Sequence, residues 1–476
     1  MNDEIPLFLK YKRKEVSYRP IKNRTKDYLA VELPLTDIDL TTQSLRCMNC
    51  GTPFCHAWGC PLRNVIPEIN RAVQRNFWDT AFSILQITNP FPEFTGRICP
   101  APCESSCVLG IHEEPVAIRQ IEMAVSDKSF EMGLCMPHPP LRRHEKKVAI
   151  IGSGPAGMAA AYKLNQLGFS VTVYEKAAKI GGILRYGIPD FKLEKWIIDR
   201  RVNIMVKEGI IFETCVEVGK DISEGYLHRH FDAILIAGGA RKPRDLHVPG
   251  RNLRGIHFAM EYLSLQNMFI GGEKRLSDII DARNKKVLVI GGGDTGSDCV
   301  GTAVRQGALS VCQIEILPKP PVSRALTTPW PEWPLKLRES SSHKEGCQRL
   351  WSITVKEFEG DDSGAVKKAK CCEVEWQNDG SFKEKPGSDF VIDADLVILA
   401  MGFSGAGDNP FVDILRIEKD SRGCIKRYEN NMTSVKGIFV AGDMAHGASL
   451  VVKAIVDGLN AAQTIANYLS PSYLSK

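Results

Sequence analysis

Seven of the chain's fifteen cysteines stand between residues 47 and 107, as Cys47, Cys50, Cys55, Cys60, Cys99, Cys103 and Cys107. Thiols this crowded can form disulfides, fold around structural zinc, fill a core or hold an inorganic cluster. Disulfides need an oxidising compartment, and the N-terminal run MNDEIPLFLKYKRKE has acidic residues where a secretion signal has basic ones. A reducing, cytoplasmic setting is therefore expected. The spacings C-x2-C-x4-C-x4-C and C-x3-C-x3-C are less regular than zinc ribbons, and seven ligands are awkward for four-coordinate ions. Core cysteines are small buried apolar residues, and a crowd of seven, most of them beside glycine or proline, does not suit that role. Iron–sulfur ligation fits better, because cubane clusters take thiolates from close runs that end in Cys-Pro. Cys60-Pro61 and Cys99-Pro100 supply that feature. Seven thiolates complete one 4Fe-4S cluster and leave three for a second, which then needs a non-cysteine ligand or holds three irons. The other eight cysteines are scattered, apart from Cys371 and Cys372, and are assigned no role.

The elements that position these thiols belong to a chain too long for one core, so two or three domains are expected of its 476 residues. An apolar fraction of 43% and a charged fraction of 25% are those of a globular protein. A net charge of +5 is too mild for a nucleic-acid partner, and no apolar run reaches the roughly 18 residues of a membrane span. Residues 1–144 read as short helices and loops, with apolar spacing of three and four in VIPEINRAVQRNFWDTAFSILQ. CMPHPPLRRHEKK (135–147) reads as a linker. Beyond it the texture becomes α/β, and one plan occurs twice: KKVAIIGSGPAGMAAAYKLNQLGFSVTVYEK (146–176) and KKVLVIGGGDTGSDCVGTAVRQGALSVCQIE (285–315). Each copy has a strand, a glycine turn, a helix, a second glycine turn and a strand ending in glutamate. Two βαβ units predict two bound dinucleotides.

In the first copy Gly152, Gly154 and Gly157 fit G-x-G-x-x-G between strand and helix. The first glycine permits the tight turn, the second lets backbone approach a pyrophosphate and the third allows close helix–strand packing. Glu175 is placed to accept hydrogen bonds from a ribose. Gly291, Gly293, Asp294, Thr295 and Gly296 repeat the arrangement, ending at Glu315. A carboxylate there bonds a 2′-hydroxyl and repels a 2′-phosphate, which favours NADH over NADPH; Lys319 and Arg324 follow closely. FDAILIAGGA (231–240) reads as a strand running close to a cofactor, and VKGIFVAGDMAHGASLVVKAIVDGLNAA (435–462) as strand, turn and long amphipathic helix.

Together these segments resemble the two-dinucleotide flavoenzymes of the glutathione and adrenodoxin reductase type. The resemblance implies FAD on an outer Rossmann-like domain, at Gly152, Gly154, Pro155, Ala156, Gly157, Glu175, Lys176, Gly182, Arg185, Gly442, Asp443 and Ser449. It implies NADH or NADPH on a second domain inserted into the first. The expected domains are 1–144, 145–253 with 395–476, and 254–394, with DADLVILAMGF (393–403) as the strand returning to the FAD domain. Such enzymes often reduce a disulfide near the flavin. ILRYGIPDFKL after Gly181-Gly182 has no cysteine and Cys299 stands alone, so the electrons must leave by another route.

RCMNCGTPFCHAWGCPLRNVIPEIN, NPFPEFTGRICPAPCESSCVLGIHEEPVAIRQIE, GGILRYGIPDFKL, GGGDTGSDCVGTAVRQGA and PWPEWP (329–334) resemble the small (β) subunit of glutamate synthase, over residues 5–469. The same module occurs at the N-terminus of dihydropyrimidine dehydrogenase. The resemblance implies two interleaved 4Fe-4S clusters, one held by Cys47, Cys50, Cys55 and Cys107, the other by Cys60, Cys99, Cys103 and Glu122. It also implies electron flow from NAD(P)H to FAD, through the clusters, and on to a large partner subunit that makes glutamate from glutamine and 2-oxoglutarate. This chain is not expected to make glutamate by itself, since Asn2 replaces any N-terminal cysteine nucleophile and no segment is left for an FMN barrel. Two departures stand out: Met444 to Ala448 (MAHGA) replaces an expected Cys-Arg-Arg-Gly-Gln, and 335–350 looks shortened. They leave open a second reading, a stand-alone or differently partnered NAD(P)H oxidoreductase serving ferredoxin, quinone or artificial acceptors. In neither reading is a protein acid–base residue expected, because hydride passes directly between stacked rings.

Overall fold

The computed structural model describes residues 6–470; residues 1–5, among them Asn2 and the start of the N-terminal run, and 471–476 lie outside that range. The first third is helical, as its apolar spacing predicts. The helix Asp37–Ser44 opens on a capping box, Thr36 accepting from the Asp39 backbone while the Asp39 carboxylate accepts from that of Thr36. Pro67 and Pro92 sit in the first turns of Ile66–Gln74 and Pro92–Ile98, where a missing N–H costs no hydrogen bond. The long apolar stretch 65–86 resolves into two helices, Ile66–Gln74 and Trp78–Gln86, because the chain turns at Asn76 with φ 57°. The longest helix here, Ile118–Glu131, packs against Pro92–Ile98 so closely that a Cβ on Gly96 would lie 2.7 Å from the Met123 Cα.

Two parallel five-stranded sheets follow. The first runs Ile438–Val440, Ala233–Ile236, Lys147–Ile151, Ser170–Glu175, Ile211–Thr214; the second runs Ile256–Phe258, Leu396–Leu399, Lys286–Ile290, Ser310–Glu315, Gln348–Trp351. Four strands correspond in order, while the edge strands differ, Ile438–Val440 following its unit in the chain and Ile256–Phe258 preceding its own. The repeat seen in two βαβ units therefore extends to four strands of each sheet. Their central strands are buried on both faces, as parallel strands are. The third glycine of each loop has a steric reason: a Cβ on Gly157 would stand 2.0 Å from the Gly152 carbonyl oxygen, and one on Gly296 would stand 2.2 Å from that of Gly291.

This topology corrects one expectation. Leu396–Leu399 does not return to the first sheet; it pairs with Ile256–Phe258 and Lys286–Ile290 in the second. DADLVILAMGF is the counterpart of FDAILIAGGA, so the chain crosses back only after it. A smaller antiparallel sheet, Ile353–Gly360 with Val366–Trp376, Phe382–Glu384 and Phe390–Asp393, separates Gln348–Trp351 from that strand. The segment read as a linker is irregular but anchored: Arg143 donates to the Asn165 side chain and the Phe169 and Glu208 carbonyls, and the Glu208 carboxylate accepts from the His138 backbone. A buried pair, Arg201 Nε donating to Glu93 Oε1 at 2.5 Å, ties Pro92–Ile98 to the helix Lys195–Lys207 of the first α/β unit.

Candidate functional site

The seven cysteines and Glu122 separate into two groups. Cys47 follows the helix Asp37–Ser44, Cys50 follows Asn49 at φ 50°, Cys55 opens the π-helical turn Cys55–Gly59, and Cys107 precedes the turn Val108–Ile111. These four line one hollow. Burial raises the thiols of Cys47, Cys50 and Cys55, the last to about 12, and each feels Cys107 as a like charge. The rest of the wall is apolar except for Asn70. Phe54 closes one side and packs at a tilt against Trp330 of PWPEWP, with ring centroids 4.7 Å apart. Ser106 Oγ donates to the Pro331 carbonyl at 2.8 Å and Arg324 to that of Ser105 at 3.0 Å. The loop Pro329–Pro334 therefore docks on the cysteine domain.

Cys60, Cys99 and Cys103 form the second group with Glu122. Burial pushes Cys60 up to about 11, Cys99 to about 12 and Cys103 well above the ordinary thiol range, and all three feel Glu122. Glu122 lies on the buried side of Ile118–Glu131. Thr95 Oγ1 donates to its Oε1 at 2.5 Å and Asn89 Nδ2 at 3.3 Å, while Asn64 Nδ2 donates to Oε2 at 2.9 Å. Burial raises its carboxyl to about 7. Sequence reasoning missed Asn64, Asn89 and Thr95; only their place in the quoted cysteine motifs hinted at them. The two groups are neighbours because Gly59 lets the turn Cys55–Gly59 touch the helix Pro102–Ser105, a Cβ there lying 2.7 Å from the Cys103 Cα.

Buried thiols with no matching cation are unstable as thiolates unless a metal group takes their charge. Among the described residues no three His, Cys, Asp or Glu side chains stand close enough to hold a single ion. A cluster of several irons, which spreads its ligands around a core, fits such groups better than one ion.

The two glycine loops match down to their hydrogen bonds. Glu175 accepts from Ser153 N at 3.1 Å, Ser153 Oγ at 2.6 Å and Ala177 N at 2.8 Å. Glu315 accepts from Gly292 N at 2.6 Å and Leu317 N at 3.0 Å. The middle glycines, Gly154 and Gly293, face open space where a Cβ would be, at the starts of Pro155–Gln166 and Asp294–Gln306. That is the cradle a pyrophosphate needs. Gly182 packs on Gly154, and Gly442 on Ala156. Asp457 holds the Gly442 N–H at 2.6 Å, and Ser449 Oγ donates to Asp443 at 3.0 Å. Most of the residues expected at FAD therefore converge on one helix start. Two are engaged elsewhere: Arg185 pairs with Asp199 and donates to the Ile180 carbonyl, and Lys176 faces Glu217 at 3.8 Å.

Further links tie the second α/β unit to the first and to the N-terminal segment. Lys192, in GIPDFKL, pairs with Asp298 in the first turns of Asp294–Gln306. Glu345 accepts from Arg24 at 2.7 Å and from Arg305 at 2.5 Å, all three side chains being buried. The departure at Met444 is internal: Met444 is fully buried and its sulfur accepts from Gly238 N at 3.1 Å.

The sequence pattern of the family described as pyridine nucleotide-disulphide oxidoreductase matches residues 146–458, and that of dihydropyrimidine dehydrogenase domain II, 4Fe-4S cluster, matches residues 24–134. The chain is 48% identical to the glutamate synthase [NADPH] small chain of Mycobacterium tuberculosis, over 98% of this chain and 96% of that one. It is 41% identical to the Bacillus subtilis protein of the same name, over 98% of both. It is 44% identical to glutamate synthase [NADH] of Schizosaccharomyces pombe, over 97% of this chain and 23% of that protein. Among solved structures, Mycobacterium tuberculosis FprA in complex with NADPH shares the fold at TM-score 0.56 and 19% identity, over 69% of this chain and 86% of that one.

Proposed function

We propose a function from one premise: this chain belongs to the glutamate synthase small-chain family. It is the electron-input subunit of a glutamate synthase, an enzyme that oxidises NAD(P)H with FAD and two 4Fe-4S clusters and serves a large partner subunit making glutamate from glutamine and 2-oxoglutarate. The observation that carries this reading is the sorting of seven cysteines and Glu122 into two groups of four, inside the segment that matches a 4Fe-4S family.

FAD, when bound, turns a two-electron hydride into single electrons for the clusters. The chain's own residues bind and orient. Gly152, Gly154 and Gly157 receive the FAD pyrophosphate at the helix that Pro155 and Ala156 open, with Glu175 at the ribose, Lys176 at the rim, and Gly182, Gly442, Asp443 and Ser449 closing the site. Arg185 braces the GGILRYGIPDFKL segment through Asp199. Gly291, Gly293, Asp294, Thr295 and Gly296 do for NAD(P)H what the first loop does for FAD, and Glu315 favours NADH. The Lys192–Asp298 pair keeps the two nucleotide sites in register, and the Arg24–Glu345–Arg305 group ties the N-terminal domain to the second of them. The working domains are a cluster domain up to residue 144, an FAD domain from 145–253 and from about 401 onward, and a nucleotide domain between them. No helix among the described residues is long and apolar enough to cross a membrane, and a cytoplasmic location is part of this proposal.

Anaerobic purification with its large subunit tests the reading. About eight irons, matching sulfide and one FAD per chain are expected, with NADH-driven and glutamine-dependent glutamate formation. Dye reduction without glutamate formation under any partner would make the chain a stand-alone reductase. A protein holding zinc and no acid-labile sulfide would remove the cluster reading.

A further inference from the structure

The hollow lined by Cys47, Cys50, Cys55 and Cys107 has one polar side chain besides its thiols, Asn70 on the helix Ile66–Gln74. Asn70 is 1% exposed. Its Nδ2 is buried and has no hydrogen-bond partner among the described residues. Buried amide donors are nearly always paired, and one left unpaired inside a ligand-lined hollow marks a missing acceptor. The acceptor has to come from the sulfur side, since the thiols of Cys47, Cys50, Cys55 and Cys107 are the polar groups that share the hollow with Asn70. The second group differs. There the amide donors Asn64 and Asn89 already have their acceptor, the Glu122 carboxylate.

We propose that Asn70 is a positioning residue for the first cluster: its Nδ2–H donates to a sulfur of the group held by Cys47, Cys50, Cys55 and Cys107, and so holds that group's reduction potential up. This rests on the reading that these cysteines hold a 4Fe-4S cluster. One-electron reduction adds one negative charge and neither forms nor breaks a bond. An apolar wall penalises that charge, and a dipole aimed at the sulfur relieves the penalty. Among the side chains of the wall only Asn70 offers such a dipole. Without it the first cluster would be harder to reduce than its ligand set alone implies.

The test is a redox titration of the purified, cluster-loaded full chain, followed by electron paramagnetic resonance, with iron, sulfide and FAD measured on the same samples. Asn70→Leu is expected to keep iron and FAD and to move one of the two cluster midpoints downward, leaving the other cluster and the flavin unmoved. Asn70→Gln, which keeps an N–H donor, is expected to bring the midpoint back toward the parent value. Full iron with both midpoints unchanged in Asn70→Leu would overturn the proposal. If Asn70→Leu loads less iron, Asn70→Gln and Asn70→Met, of similar size, are compared instead: a lower midpoint in the methionine variant supports the donor role, and equal midpoints overturn it. A parent chain without iron and sulfide would show instead that the cluster reading itself had failed, and the role of Asn70 with it.

Discussion

The two groups of cysteines are built from the same few turns of chain, yet their surroundings are of opposite kinds. The first has four thiols around an apolar hollow, with a single buried amide in its wall. The second has three thiols and a carboxylate, and that carboxylate is ringed by a threonine hydroxyl and two amides. Four thiolates and three thiolates with a carboxylate carry the same formal charge, so ligand charge does not distinguish two clusters bound there. Their surroundings do. Hydrogen bonds to ligand atoms and local polarity are the means by which a protein separates the potentials of like clusters. The contrast teaches that a relay can be graded by what stands behind the ligands.

The largest effects come from removing a ligand on either side. Cys107→Ser and Cys103→Ser should each lower iron from about eight to about four per chain while keeping FAD. Each should abolish glutamate formation but leave flavin reduction by NADH intact, as stopped-flow bleaching of the flavin would register. If either variant loses all its iron, the two groups are not independent sites. The first glycine loop should respond nearly as strongly: Gly157→Ala forces a Cβ against the Gly152 carbonyl at 2.0 Å, and FAD content should fall together with stability, by about 1–3 kcal/mol in denaturant unfolding.

Replacing Glu122 sharpens the contrast. Glu122→Ala should disturb one cluster's spectrum and spare FAD and the four-thiol site; unchanged iron and spectra would remove Glu122 from the ligands. Thr95→Val, which deletes the shortest bond to that carboxylate, should cost about 1–3 kcal/mol, read as a shifted unfolding midpoint.

A pH dependence at Glu122 separates the two groups as well. In the cluster-free chain Glu122 titrates near 7 rather than at its ordinary 4.5, because burial favours its neutral form. The folded state then binds the proton that the unfolded chain has already released. That contribution is complete below about pH 4.5 and is lost as pH rises through about 7, on the order of 3 kcal/mol. Glu122→Gln should flatten the curve in that window. Cys47, Cys50 and Cys55 add nothing there, since burial raises their thiols above the ordinary thiol range. An equal slope in the variant would assign the dependence elsewhere.

Much of this molecule is local and could be read from spacing. A G-x-G-x-x-G between a β-branched strand and a helix needs its third glycine for a contact only a few residues away, which is why both loops were legible. The cysteine runs likewise announced more thiolates than one cluster uses. Other features were less legible because they depend on distant packing. Arg185 stands beside the predicted cofactor residues in sequence, but its guanidinium turns to Asp199 on the next helix. The strand Leu396–Leu399 reads as apolar whichever sheet it joins, and only its pairing with Lys286–Ile290 places it in the second.

By itself, the sequence determined the chemistry on offer: seven thiols, two phosphate cradles and two acidic strand ends, each specified within a few turns of chain. The tertiary structure decided how they are grouped. Gly59 brings the turn Cys55–Gly59 against Pro102–Ser105, and Ile118–Glu131 carries Glu122 to Asn64, Asn89 and Thr95. Those contacts join residues far apart in the chain, and no periodicity encodes them. Packing and burial alone set which thiols share a hollow and which carboxylate is withdrawn from water.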